Sequence, residues 1–155
     1  MSQGDRSSSI DFDTLVDHIA DECLAVRVRV LSRIVTNIYD EALRPLGLRI
    51  TQLNILVATG KLGTARPAEL CQRLAMDASS LSRTLDRLAS HGWIEFVPDT
   101  DRRARPFRLT SAGRDILTRA RPAWEEAQRQ AREQLGAPLA SQLSSTFSVA
   151  DRPAS

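Results

Sequence analysis

The sequence of 155 residues is poor in aromatics, at 5%, and almost devoid of lysine: of its 21 basic residues, all but Lys61 are arginine. Scarce aromatics, with the apolar content carried mostly by Leu, Ala, Val and Ile, lean the chain toward helix. Cys23 and Cys71 lie far apart, without metal-ligand spacing or a disulfide framework, so both thiols are expected to be reduced, as in a cytoplasmic protein. No apolar run reaches the length of a bilayer, and the polar start MSQGDRSSSI has no signal-peptide core; a membrane partner is not expected. His18 and His91 have no cysteine or carboxylate cluster at metal or triad spacing, and no Gly-rich phosphate loop is present. No enzyme activity, metal or cofactor is therefore expected. What remains is 42% apolar and 26% charged, enough for one domain with a real core. The net charge of +2 says little about nucleic acid, and an arginine-rich genomic bias accounts for the Arg-to-Lys ratio. Placement of the arginines matters more than their number.

From Asp11 a long helical region is expected. AVRVRV, residues 25–30, alternates like a strand, but Leu24, Val28, Leu31, Val35, Ile38 and Ala42 form a near-heptad helical seam. Val26, Val30 and Ile34 add a second stripe, and so wide an apolar surface suits burial against another chain as well as a core. Gly47 ends the region. Thr51 is read as the N-cap of a short helix ending near Leu62-Gly63, with Ile50 and Ile55 as a hydrophobic staple. Thr64-Ala65 is read as a brief connection, and Pro67 as the first turn of the next helix. That helix breaks at Ala75-Met76. Asp77 caps another, which carries Leu81, Leu85 and Leu88 inside and stops at Gly92 after His91. Two short helices so joined fit a helix-turn-helix, with Cys71 as a small packing residue at their crossing.

Residues 93–97 then alternate as a strand and 106–109 as its return, so the arginine-rich stretch DTDRRARPFRLT spans a loop between them, the wing of a winged helix-turn-helix. Thr110 or Ser111 is the expected cap of a long helix to about Leu135, broken or bent near Pro122. A short amphipathic piece with Leu139, Leu143 and Phe147 follows. The outer face of the second motif helix offers Ser79, Ser80, Ser82, Arg83 and Arg87, with Asp86 among them. Small hydroxyls near a helix N-terminus allow close approach to a duplex and can donate to phosphates. Taken alone, this face also fits an ordinary solvated mixture of charges. The adjoining wing, with Asp101, Arg102, Arg103 and Arg105, favours a helix in the major groove and an arginine in the minor groove. Asp101 is read as holding a neighbouring guanidinium in place.

The run SSLSRTLDRLASHGWIEFVPDTDRRARPFRLTSAG, within the span from about Leu24 to Leu135, resembles the MarR family of bacterial transcription regulators. The family's wing pattern is matched by Asp101, Arg103, Leu109, Thr110 and Gly113. The resemblance implies a mainly α fold (an α+β winged helix) and a homodimer joined through its N- and C-terminal helices. It also implies a palindromic double-stranded DNA operator, with Arg103 in a minor groove and each recognition helix in a major groove. On this reading residues 1–10 are a flexible arm and 11–48 the N-terminal dimerisation helices. Residues 49–110 form the DNA-binding lobe, 111–150 the C-terminal dimerisation helices and 151–155 a frayed tail.

A small aromatic effector is a further implication, with Arg29, Arg33 and Tyr39 as candidate pocket residues; intersubunit ion pairs and solvent exposure explain them equally well. Thiol sensing through Cys23 is an alternative, against which Arg27 stands one turn on where a tyrosine would be wanted. The short, Ser-rich C-terminal piece departs from the family, and FDTLVDHIADE is expected to compensate by covering the dimer helices. The leading expectation is a dimeric DNA-binding regulator, most simply a repressor. Its competitor is a winged-helix module whose arginines pair with an acidic protein.

Overall fold

The computed structural model describes residues 11–100 and 104–146. The expected arm and tail, Phe147, and the wing residues Asp101, Arg102 and Arg103 lie outside the described residues. The chain divides into two compact units between Val35 and Thr36.

The first unit holds α1 (Phe12–Glu22) and the beginning of α2 (Leu24–Leu43). The long helical region is thus two helices, separated at Cys23, whose ψ of 103° is extended. The Arg27 guanidinium donates to the carbonyl of Asp21 across this break. AVRVRV is helical, as the longer seam requires. Its side chains are exposed, Leu24 at 74% and Val28 at 62%, and α1 buries no residue.

In the second unit α2 ends at Leu43 and passes through a 3-10 turn, Arg44–Leu46, closed by Gly47 at φ 67°. Helix α3 (Ile50–Leu62) begins two residues earlier than the Thr51 cap would place it, with Arg49 at the cap position. Two side-chain acceptors replace the threonine. Gln52 Oε1 accepts from the Arg49 N–H at 2.9 Å, and Asp40 Oδ1 accepts from the Ile50 N–H at 2.8 Å. The second acceptor comes from α2, ten residues away, so no local pattern reveals it.

Residues 64–65 are a strand, β1 (Thr64–Ala65), and not a mere connection. It pairs antiparallel with β3 (Phe107–Leu109), which also pairs with β2 (Ile94–Phe96), giving the order β1-β3-β2. Two residues are too few to show an alternation, which is why β1 is illegible in the sequence. Between β1 and β2 lie α4 (Pro67–Leu74) and α5 (Ala78–Ser90). Leu70, Leu81, Leu88 and Phe107 are fully buried with Leu43, Leu48, Ile55 and Leu56. Each such side chain contributes about 1.5–3 kcal/mol on leaving water. Cys71 is half-buried and packs against this core, as expected.

Helix α6 (Ser111–Leu135) runs unbroken through Pro122, correcting the expected break, and α7 (Ala137–Thr146) follows Gly136. The cap is Thr110, whose Oγ1 accepts from the Gly113 N–H at 3.0 Å and donates to the Gly92 carbonyl at 2.6 Å.

Candidate nucleic-acid interface

The α4–α5 pair is a helix-turn-helix with a tight corner. Ala75 caps α4 in the left-handed region, φ 52°, and the Met76 N–H reaches back to the Cys71 carbonyl at 3.0 Å. Asp77 then caps α5 as its position implied, accepting from the Ser80 N–H at 2.8 Å and the Ser79 hydroxyl at 2.6 Å. These donors, Ser79 first, hold its carboxyl well below the usual carboxylate range. The consequence alters the expectation for the serines. The Ser79 hydroxyl donates its hydrogen bond to Asp77, and an ionised carboxylate occupies the α5 N-terminus where an anion would dock. Ser80 and Ser82 are half-buried on the same helix.

The exposed cations of this face are Arg83 and Arg87, and neither guanidinium has a partner among the described residues. Asp86, between them, turns instead to Arg105 in the wing, at 3.6 Å. The expected charge mixture within the helix is therefore absent among the described residues, and two arginines one turn apart face solvent.

The hairpin rises directly from α5. His91 stacks on Trp93, ring centres 4.4 Å apart, at the turn into β2. Its arms are joined beyond the ladder by the Val97 N–H donating to the Pro106 carbonyl at 2.8 Å. Arg108 lies on β3, paired with Glu95 at 2.7 Å, and so belongs to the sheet surface more than to the loop. Asp99 anchors the other side by pairing with Arg66 at 3.1 Å. Arg66 carries no local signal in the sequence, because its partner is 33 residues away. The structure thus brings Ser79, Ser80, Ser82, Arg83, Arg87 and Arg105 to one region; Asp101, Arg102 and Arg103 lie outside the described residues.

The candidate pocket residues have separate surroundings. Arg29 and Arg33 are exposed on α2. Tyr39 is half-buried, donates to Gln128 Oε1 and so ties α2 to α6; burial raises its phenol pKa, against the opposing pull of Arg132. An apolar cavity of about 310 Å³ opens elsewhere, between α3 and α6, lined by Leu53, Val57, Leu117, Ala120, Arg121 and Trp124. Among the described residues no group of His, Cys, Asp and Glu could hold a metal, and no helix is long and apolar enough to cross a membrane.

A helix-turn-helix followed by a β-hairpin, with a third strand closing the sheet, defines a winged helix-turn-helix protein. Residues 46–104 match the model of the MarR family. The multiple antibiotic resistance protein MarR of Salmonella typhimurium is 39% identical over 75 residues, 48% of this chain and 52% of that protein. The Escherichia coli protein of that name is 35% identical over 78 residues, 50% of this chain and 54% of that protein. The chain thus spans about half the length of the curated relatives it matches. Solved structures extend the likeness. The reduced form of MarR from E. coli, 26% identical, superposes with a TM-score of 0.64 over 79% of this chain and 92% of that one. A probable transcriptional regulator from Pseudomonas aeruginosa, also 26% identical, reaches 0.71 over 82% and 96%. The fold is shared as well with a mutant E. coli MarR complexed with operator DNA, at 22% identity and a TM-score of 0.69 over 88% and 96%. Over its helix-turn-helix and hairpin the chain is thus similar to regulators of the MarR family.

Proposed function

We propose that this protein is a cytoplasmic, sequence-specific DNA-binding transcriptional regulator, a repressor acting as a homodimer on a palindromic operator. The observation that carries the reading is the α5 face. Arg83 and Arg87 are exposed and unpartnered among the described residues, beside a hairpin whose loop adds Arg102 and Arg103. An unpaired guanidinium matches a phosphate or a guanine edge bidentately. Since Asp77 occupies the α5 N-terminus, phosphate affinity falls to these arginines. The serines serve mainly as small side chains that let the helix enter a groove. That a neighbour sharing the fold is complexed with operator DNA supports a DNA duplex as the partner.

Dimerisation is supported by the exposed apolar residues of α1 and α2: Phe12, Ile19, Leu24, Val26, Val28 and Val30. Left in water they are a liability, and a second copy covers them. Two recognition helices then read half-sites about 34 Å apart. The α3–α6 cavity fits a small aromatic effector, with Trp124 as a stacking wall and Arg121 at the rim; it replaces Arg29, Arg33 and Tyr39 as the candidate. An effector releases DNA in proportion to its preference for a state with a different helix spacing.

The test is fluorescence anisotropy of the protein with duplex fragments, including its own upstream region, at several salt concentrations. A saturable preference for one palindromic fragment is expected. Arg83→Ala, Arg87→Ala and Arg103→Ala should each weaken binding, and a variant that no longer neutralises one phosphate has a salt slope shallower by about 1. Equal weak binding to every fragment, unchanged by these substitutions, would favour an acidic protein partner and overturn the regulator reading.

A further inference from the structure

We propose that Arg105 is a positioning residue that latches the wing to the recognition helix, and not one of the arginines the wing offers to DNA. Three independent features converge on it. Its guanidinium stands 3.6 Å from Asp86 Oδ1 on α5. The same group lies over the ring of Phe96 on β2, with its central carbon 4.5 Å from the ring centre. Its backbone is left-handed, φ 37°, which among the described non-glycine residues it shares only with Ala75. A left-handed conformation costs an L-residue energy, and surrounding contacts must hold it. Here they are identifiable. Pro106, next in the chain, is buried and joined to Val97, so the bend at Arg105 is what turns its side chain back over β2.

The latch continues inward. Phe96 meets Phe107 edge-on, ring centres 6.2 Å apart at 70°, and Phe107 is fully buried. A chain of packed groups therefore runs from the core through Phe96 and Arg105 to Asp86, on the outer face of α5. Asp86 has two closer arginines in sequence, Arg83 and Arg87, yet pairs across to the wing. That choice leaves Arg83 and Arg87 open and fixes the angle between hairpin and helix. The two elements meant for adjacent grooves become one rigid reader, which lowers the ordering cost of binding.

This inference rests on the DNA-binding reading, and its test separates the two. Asp86→Asn removes a negative charge from the DNA-facing surface. If Arg105 contacts DNA and Asp86 merely competes for it, the variant binds DNA more tightly. The latch requires the reverse: Asp86→Asn weakens operator binding about three- to tenfold, on the scale of one exposed ion pair plus one exposed cation–π contact. Arg105→Gln should weaken it equally, the double variant no further, and all three should keep the wild-type salt slope. Tighter binding by Asp86→Asn, or a slope lowered by about 1 in Arg105→Gln, would overturn the latch. A readout without DNA is the NMR signal of the Arg105 Nε–H, shifted upfield by the Phe96 ring and returning to the free-arginine position in Phe96→Leu and Asp86→Asn. An unshifted wild-type signal refutes the latch even if no operator exists. A shifted signal with no DNA preference upholds it and refutes the regulator reading alone.

Discussion

Gly113 is the third residue of α6, where alanine would ordinarily stabilise a helix by about 1 kcal/mol over glycine. The structure predicts the opposite sign. A Cβ built at Gly113 runs into the backbone carbonyl of Trp93, lying only 3.0 Å from its carbon, with Leu109 Cδ2 behind at 3.4 Å. The obstacle is backbone that cannot step aside freely, because the Trp93 oxygen accepts from the Thr110 N–H at 3.1 Å. Making room separates the start of α6 from the turn into β2 and stretches that bond. Overpacking of this kind costs about 1–3 kcal/mol, and a broken hydrogen bond about 1 more. Set against the propensity gain, Gly113→Ala should destabilise by about 1–3 kcal/mol, which for a domain of this size lowers Tm by roughly 3–10 °C. Differential scanning calorimetry reads the shift directly. Gly60→Ala is the control: on α3, its added Cβ meets only the Leu109 Cδ1 methyl at 3.1 Å, a side chain able to rotate, so its change should be far smaller. A Gly113→Ala protein as stable as wild type, or one no worse than Gly60→Ala, would refute the close-approach argument.

Thr110→Ala removes both the α6 cap and the link to Gly92, and should cost about 1 kcal/mol, read as a lower denaturant midpoint; Thr110→Ser should restore most of it. Asp77 has a carboxyl pKa lowered in the folded state, so the unfolded chain binds the proton more readily. Its stabilising contribution is therefore present above the ordinary carboxylate value of 3.8 and fades as pH falls below it. Asp77→Asn keeps a capping oxygen at every pH, so the stabilities of the two proteins should begin to approach each other only below about pH 4 and continue to do so as the pH is lowered further; parallel curves would argue against the cap. Val28→Asp places a charge on the exposed apolar face of α2, and sedimentation should show a dimer becoming a monomer; an unchanged profile would remove that face from the interface. Deleting residues 1–20 should likewise weaken dimerisation.

The helix-turn-helix was legible because its signals are local: Pro67 at a first turn, Asp77 as a cap, leucines at helical spacing and Gly92 at the stop. The hairpin followed from two short alternations around a charged loop. What escaped depends on distance. The start of α3 is set by Asp40 from another helix, so Thr51 looked like the better cap. Strand β1 exists only because β3 offers it an edge. Pro122 breaks nothing, a result that local propensity could not anticipate. At the candidate interface the sequence named Arg83, Arg87 and Arg105 but gave no sign of how they pair. Asp86, Arg105 and Phe96 lie on three elements, and only folding shows that the acid partners the wing.

Every rung of the small sheet passes through β3, whose Phe107 and Leu109 are buried while Arg108 faces out. A slip of one residue there would turn both apolar side chains to water and put a guanidinium inside. The loop that precedes β3 is under no such register constraint, since the ladder is already closed by the Val97–Pro106 bond at its base, and it is held instead at its two ends, Asp99 by Arg66 and Arg105 by Asp86. Between those two anchors, mutation can change the sequence without disturbing the register of the sheet. On the proposed reading, new operator preferences can accumulate there one substitution at a time, without the fold having to be solved again.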